Sequence, residues 1–155
     1  VGSDFPLAIR FSHWKQQDFD AKLAYTEEDL KTFLMPLVDA GIDMFHASNR
    51  RYWEPEFEGS NLNLAGWTKK LTGLPTITVG SVGLKSDFIG LYAGEDAVES
   101  QSIDDLVKRM EADEFDMVAI GRALLSDPEW VKKVKAGDFE EIIPFEKKYA
   151  REVYF

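Results

Sequence analysis

Apolar positions along this chain follow two rhythms. Short runs rich in β-branched and aromatic residues recur at 7–11, 42–47, 76–79 and 117–120, and each reads as a buried strand. Between them the apolar residues fall at helical spacing. Leu30, Phe33, Leu34, Leu37 and Val38 share one face of a first helix. Thr26 with Asp29 makes a capping box at its start, and Gly41 is placed to close its end. Pro36 removes one internal hydrogen bond, which predicts a kink. A second helix is expected over 61–71, stopped by Gly73 and Pro75. A third opens at Ser102, with Asp105 three residues on and Leu106, Val107 and Met110 on its buried side. A fourth starts at Asp127-Pro128, turns Trp130, Val131 and Val134 inward and ends at Gly137. The tail, 139–155, reads as a short helix with aromatic anchors.

Strand and helix thus alternate four times, the pattern of a parallel α/β sheet with right-handed crossovers. The links from helix to strand are short. The loops from strand to helix, chiefly 48–60 and 84–101, are long and carry Trp, Tyr, His, Arg and Gly. In parallel α/β folds chemistry sits at the carboxyl ends of the strands, where such loops lie.

Composition narrows the partners. The chain has 155 residues, enough for one domain with a core. A net charge of −10 disfavours nucleic acid. The absence of cysteine excludes disulfides, thiolate-bound metals, iron–sulfur clusters and a thiol nucleophile, and fits a cytoplasmic location. No apolar run approaches the ~18 residues of a membrane span, so no membrane partner is expected. The chain opens at Val1 and enters its first strand almost at once, which reads as a fragment of a longer protein.

Four groups could carry chemistry. Gly80-Ser81 and Gly121-Arg122 each follow an apolar strand. Adjacent strands ending this way form an anion clamp: glycine admits the oxygens, backbone N–H groups and the serine donate, and arginine adds a forked cation. The plainer alternative is that the glycines merely end strands. Neither stretch is the G-x-G-x-x-G fingerprint of a dinucleotide site. Arg10 lies within a strand expected to be buried, where it meets either an electron-rich ligand atom or an internal carboxylate. His13 and His46, the two histidines, end strands on the same side. A base or metal ligand is possible there, although no carboxylate stands at a metal-binding spacing. Arg50 and Arg51 precede Tyr52 and Trp53; substrate contact competes with cation–π packing in a solvated loop.

The stretches Leu-Ala-Ile-Arg-Phe-Ser (7–12), Pro-Thr-Ile-Thr-Val-Gly-Ser-Val-Gly (75–83) and Asp-Met-Val-Ala-Ile-Gly-Arg-Ala-Leu-Leu-Ser-Asp-Pro (116–128) resemble the Old Yellow Enzyme family of FMN-dependent NAD(P)H:flavin oxidoreductases. The resemblance implies a (β/α)8 TIM barrel, of which 1–138 would be the last four units, strands five to eight. By this resemblance Arg10 contacts the pyrimidine edge of the flavin. Gly80, Ser81, Gly121 and Arg122 hold the FMN phosphate. Hydride passes from NAD(P)H to FMN and on to a small-molecule electron acceptor such as an electron-poor alkene. The family's substrate-binding His-His or His-Asn pair and its proton-donating Tyr belong to the first half of the barrel, and His13 does not replace them. The resemblance therefore implies a chain that is catalytically incomplete alone, with no catalytic residue of its own. Its open sheet would be covered by the missing N-terminal half or by self-association. Two alternatives stay open: a phosphate-binding barrel without flavin, and a non-catalytic α/β domain that works by association.

Overall fold

The computed structural model describes residues 2, 4–15, 18, 20–87 and 97–152, excepting the side chains of 150–152. Parts of the expected loops (Gln16, Gln17, Phe19 and residues 88–96) and the end of the tail (153–155) lie outside the described residues. The elements run β1 (Ala8–Ser12), α1 (Glu27–Asp39), β2 (Met44–Ser48), α2 (Leu64–Thr72), β3 (Thr76–Val79), β4 (Ala97–Val98), α3 (Asp104–Glu111), β5 (Met117–Val118), α4 (Arg122–Ser126), α5 (Trp130–Ala136), a 3-10 turn (Phe139–Glu141), β6 (Phe145–Glu146) and α6 (Lys147–Glu152).

Four strands pair in parallel in the order β1-β2-β3-β5. Each crossover moves one strand further in the same direction, so the order contains no reversal. The sheet is singly wound, unlike an open doubly wound sheet with its topological switch point.

Register divides the side chains between two faces. Arg10 pairs with His46, His46 with Ile77, and Ile77 with Met117. These share a face with Ala8, Ser12, Met44, Ser48 and Val79. None of this set is buried. The opposite face carries Phe11, Phe45, Ala47, Thr76 and Thr78, all buried. There the helices supply Leu30 and Leu34 of α1, Leu64, Ala65 and Trp67 of α2, and Leu106 of α3, in one continuous cluster. Leu30, Leu34 and Phe45 are 0% exposed, and burial of each such side chain stabilises by about 1.5–3 kcal/mol. The sheet is therefore packed on one side and open on the other.

Local signals set the helix ends. Thr26 and Asp29 form the reciprocal capping box of α1. Its C-terminus closes with Gly41 N donating to the Val38 carbonyl (2.9 Å) and Ile42 N to that of Leu37 (3.2 Å), a Schellman pair. The helix continues through Pro36. Asn63 caps α2 by accepting from Gly66 N at 2.9 Å, so α2 begins three residues later than its apolar pattern predicts.

Three expectations fail. Arg10 is exposed, because among the described residues no helix packs on its face of the sheet. Val107, Met110 and Val131, expected inward, are 42%, 39% and 51% exposed. Among the three apolar residues proposed for α3 only Leu106 reaches the core. The strand expected over 117–120 pairs only at Met117 and Val118, and a short helix, α4, follows at once. A two-stranded antiparallel ribbon of β4 and β6 is a further addition. Its Val98 and Phe145 bury against Leu84. No helix among the described residues is long and apolar enough to cross a membrane.

Candidate functional site

The carboxyl ends of β1, β2, β3 and β5 open on a cavity of about 320 Å³, lined by Arg10, Ser48, Arg50, Gly80, Ser81 and Arg122, with Trp14 and Gly121 among its other walls. All five positions picked from sequence are thus brought together: Arg10, Gly80, Ser81, Gly121 and Arg122 line one space. Among the described residues no carboxylate lines it, in a chain whose net charge is −10.

The floor is set by the turn after β3. Gly80 has φ +143, and a Cβ there would lie 2.7 Å from the Asn49 carbonyl oxygen and 3.1 Å from Tyr52 N. Glycine is needed because the chain after β2 crosses directly over it. Asn49 N donates to the Val79 carbonyl (3.1 Å) and Tyr52 N to that of Gly80 (3.0 Å). Beneath this crossing lies a buried amide knot. Asn49 donates to the Thr78 hydroxyl at 3.0 Å. Asn63 donates to the Tyr52 carbonyl at 2.7 Å and to the Thr78 hydroxyl at 3.3 Å. Side-chain amides here do what a ladder cannot, satisfying backbone groups of a buried loop.

Ser81 follows with φ +52, in the left-handed region. Its hydroxyl donates to the Arg50 carbonyl at 3.3 Å and accepts from Arg122 Nη2 at 3.2 Å. The same Arg122 nitrogen donates to the Ser86 carbonyl at 2.9 Å. Phe145 of β6 stands 5.8 Å from the guanidinium. Ser81 and Arg122, paired from sequence as two halves of a clamp, are in direct contact.

Arg10 lies at the other end of the cavity and donates to the Ser48 hydroxyl at 3.1 Å. Its lateral neighbour is His46. Burial, and then the Arg10 charge, hold the His46 imidazole below its ordinary pKa of 6.5.

His13 is not part of this space. It is 6% exposed, its Nε2 accepts from Ala24 N at 3.1 Å, and its Nδ1 faces Glu56. An accepting Nε2 places the proton on Nδ1, toward the carboxylate. Both nitrogens are committed to joining two loops. Among the described residues no cluster of His, Asp and Glu could hold a metal ion.

For Arg50 the sequence favours cation–π packing in a solvated loop over substrate contact. The structure puts it in the wall of the cavity. Asp87, 4% exposed, meets Arg50 Nε at 2.9 Å and Arg51 Nη2 at 3.2 Å. Arg51 is paired at its other end with Glu54, at 2.6 Å. No local pattern ties Asp87 to an arginine pair 36 and 37 positions earlier; only the packing of the loops after β2 and β3 brings them together.

No family model matches the chain. An NADH oxidase of Thermoanaerobacter brockii is 33% identical over 150 residues, an alignment covering 92% of this chain and 20% of that protein. The chain therefore spans about a fifth of the length of the curated relative it matches.

Proposed function

We propose that this chain is the phosphate-binding half of an NAD(P)H-dependent flavin oxidoreductase, related to the Old Yellow Enzyme family, with FMN as its cofactor. The observation that carries the reading is the cavity itself. In a strongly acidic chain it gathers three arginines, two serines and two glycines at the strand ends, with no acid among the described residues of its walls. That donor set fits a phosphate monoester. The likeness to an NADH oxidase supports a redox role for the larger protein. The singly wound sheet, packed on one side only, supports placing these strands as the fifth to eighth of a (β/α)8 barrel, with the open face turned to the lumen. Further strands, from an N-terminal half or a second copy, would cover it.

In this reading Gly80 keeps the turn after β3 low, and Ser81 and Arg122 hold the phosphate. Arg10 lays a fixed positive charge along one edge of the flavin ring, where it favours the reduced, more electron-rich form. FMN, when bound, supplies the hydride-carrying chemistry between NAD(P)H and an electron-poor acceptor. His13 does not line this cavity and is given no part in proton transfer. The proton donor belongs to the other half.

The test is an FMN titration followed by flavin fluorescence on the chain and on Arg122→Ala. Loss of a charge-assisted hydrogen bond predicts binding weaker by about 1.5–3 kcal/mol. Equal affinity in the two proteins would refute the clamp. A phosphate-binding barrel without flavin predicts instead that inorganic phosphate binds and the flavin ring adds no affinity.

A further inference from the structure

We propose that Arg50, held in place by Asp87, is the second cation of the phosphate site and makes it selective for a doubly charged monoester over a singly charged ester of the same shape. The proposal rests on the phosphate reading above and adds to it a residue that neither the sequence motifs nor the clamp geometry includes.

Three observations carry it. First, Arg50 lines the same cavity as Ser81 and Arg122, and its backbone is tied to the clamp, because the Ser81 hydroxyl donates to the Arg50 carbonyl at 3.3 Å. Its neighbours are fixed as well, through Asn49 N to Val79 and Tyr52 N to Gly80. The residue is therefore mounted on the turn that forms the floor. Second, the Asp87 carboxylate lies 2.9 Å from Arg50 Nε as an ion pair, without a hydrogen bond along that N–H. Among the described residues no hydrogen bond engages the two terminal amino groups of Arg50 either. A guanidinium flanked by a carboxylate on its Nε side and open at its fork is arranged to receive two oxygens of an anion. Arg51 differs, with both terminal nitrogens paired to carboxylates. Third, Asp87 is nearly fully buried and absent from the cavity wall. It orients Arg50 from behind without placing a negative charge against the ligand. Asp87 is thus a positioning residue.

Donor placement, not net charge, gives the selectivity, because Asp87 and Glu54 offset the charges of Arg50 and Arg51. With the Arg50 fork beside Arg122, the oxygens of a doubly charged phosphate monoester, the stronger acceptors, gain charge-assisted hydrogen bonds, and the weaker acceptors of a singly charged sulfate monoester gain less.

The experiment compares FMN, riboflavin 5′-sulfate and riboflavin by fluorescence titration at pH 7.5. The proteins are the chain itself, Arg50→Gln, Arg50→Lys and Arg122→Ala, each first checked for native near-UV circular dichroism. The unsubstituted chain is expected to bind FMN at least about tenfold more tightly than the sulfate ester, one charge-assisted contact in size. Arg50→Gln should weaken FMN about tenfold or more, weaken the sulfate ester less than about threefold, and leave riboflavin unchanged. Arg50→Lys should keep most of the preference, and Arg122→Ala should weaken both esters. Arg50→Gln binding all three compounds like the parent, while Arg122→Ala loses the esters, would overturn the role of Arg50 and leave the phosphate reading standing. Equal weakening of all three compounds by Arg50→Gln would reduce Arg50 to a structural part and also overturn the proposal. If the unsubstituted chain binds neither ester better than riboflavin, both readings fall.

Discussion

Gly80→Ala tests the architecture at its tightest point. The substitution acts in two ways. An L side chain at φ +143 occupies a region that costs on the order of 1–3 kcal/mol. The new Cβ would also sit 2.7 Å from the Asn49 carbonyl oxygen and 3.1 Å from Tyr52 N. Both are backbone atoms of a loop pinned by two hydrogen bonds, so neither retreats without breaking a contact, which adds about 1–3 kcal/mol. Against this, alanine lowers the entropy of the unfolded chain by about 0.4–1 kcal/mol. The net expectation is a loss of about 1–5.5 kcal/mol, a fall in Tm of roughly 2–20 °C for a chain of this size. Gly137→Ala separates the two causes. It has φ +83, but a Cβ there meets nothing within 4 Å, so conformation alone costs about 1 kcal/mol. Urea unfolding followed by tryptophan fluorescence measures both variants. If Gly80→Ala were no less stable than Gly137→Ala, the crossing of the loop over the turn would not be the constraint described.

Further predictions concern titratable groups. His46 should titrate below 6.5 by NMR, and Arg10→Gln should move its midpoint upward by removing the second of its two causes. The folded chain binds that proton less readily than the unfolded one. Its stability contribution is therefore complete above 6.5 and declines as pH falls from there toward the folded value. Asp127, 1% exposed, is pushed up by burial. The Lys133 hydrogen bond (2.8 Å), the N–H groups of Ile143 and Glu129, and the Lys133 charge outweigh this and leave its pKa below 3.8. Its contribution is complete above that ordinary value and is lost as pH drops through the folded pKa. Asp127→Asn should cost about 2 kcal/mol near neutrality and flatten the acid limb of the stability curve, measured by urea unfolding between pH 3 and 7.

What the sequence showed and hid follows from how local each cause is. The capping box of Thr26 and Asp29 and the end of α1 at Gly41 lie within a few residues of one another, and both are legible. That Gly80-Ser81 and Gly121-Arg122 meet was legible because they end neighbouring strands, and strand order follows from alternation. The burial of Arg10 was misjudged because a parallel strand was assumed to be covered on both faces, and here one face is open. The start of α2 was misplaced by three residues: Asn63 caps the helix at Gly66 N, and its amide is held by Tyr52 and Thr78 from distant segments. The helix α4 has five residues and no side-chain cap, too short to leave a periodicity. The pairing of Arg50 with Asp87 was hidden for the most basic reason: the two come from different loops.

The tail bears on the cradle in a way the order of the chain conceals. Phe145 of β6 stands beside Arg122, and the segment before it is fastened by the Ser126 hydroxyl to the Ile143 carbonyl at 3.3 Å and by Ile143 N to Asp127 at 3.0 Å. The final ribbon thus works as a buckle across the helix that presents the cation. Protease accessibility near residues 142–146 consequently becomes a reporter of what sits on Arg122: a ligand that immobilises the guanidinium should slow cleavage of the tail, with no label placed in the cavity at all.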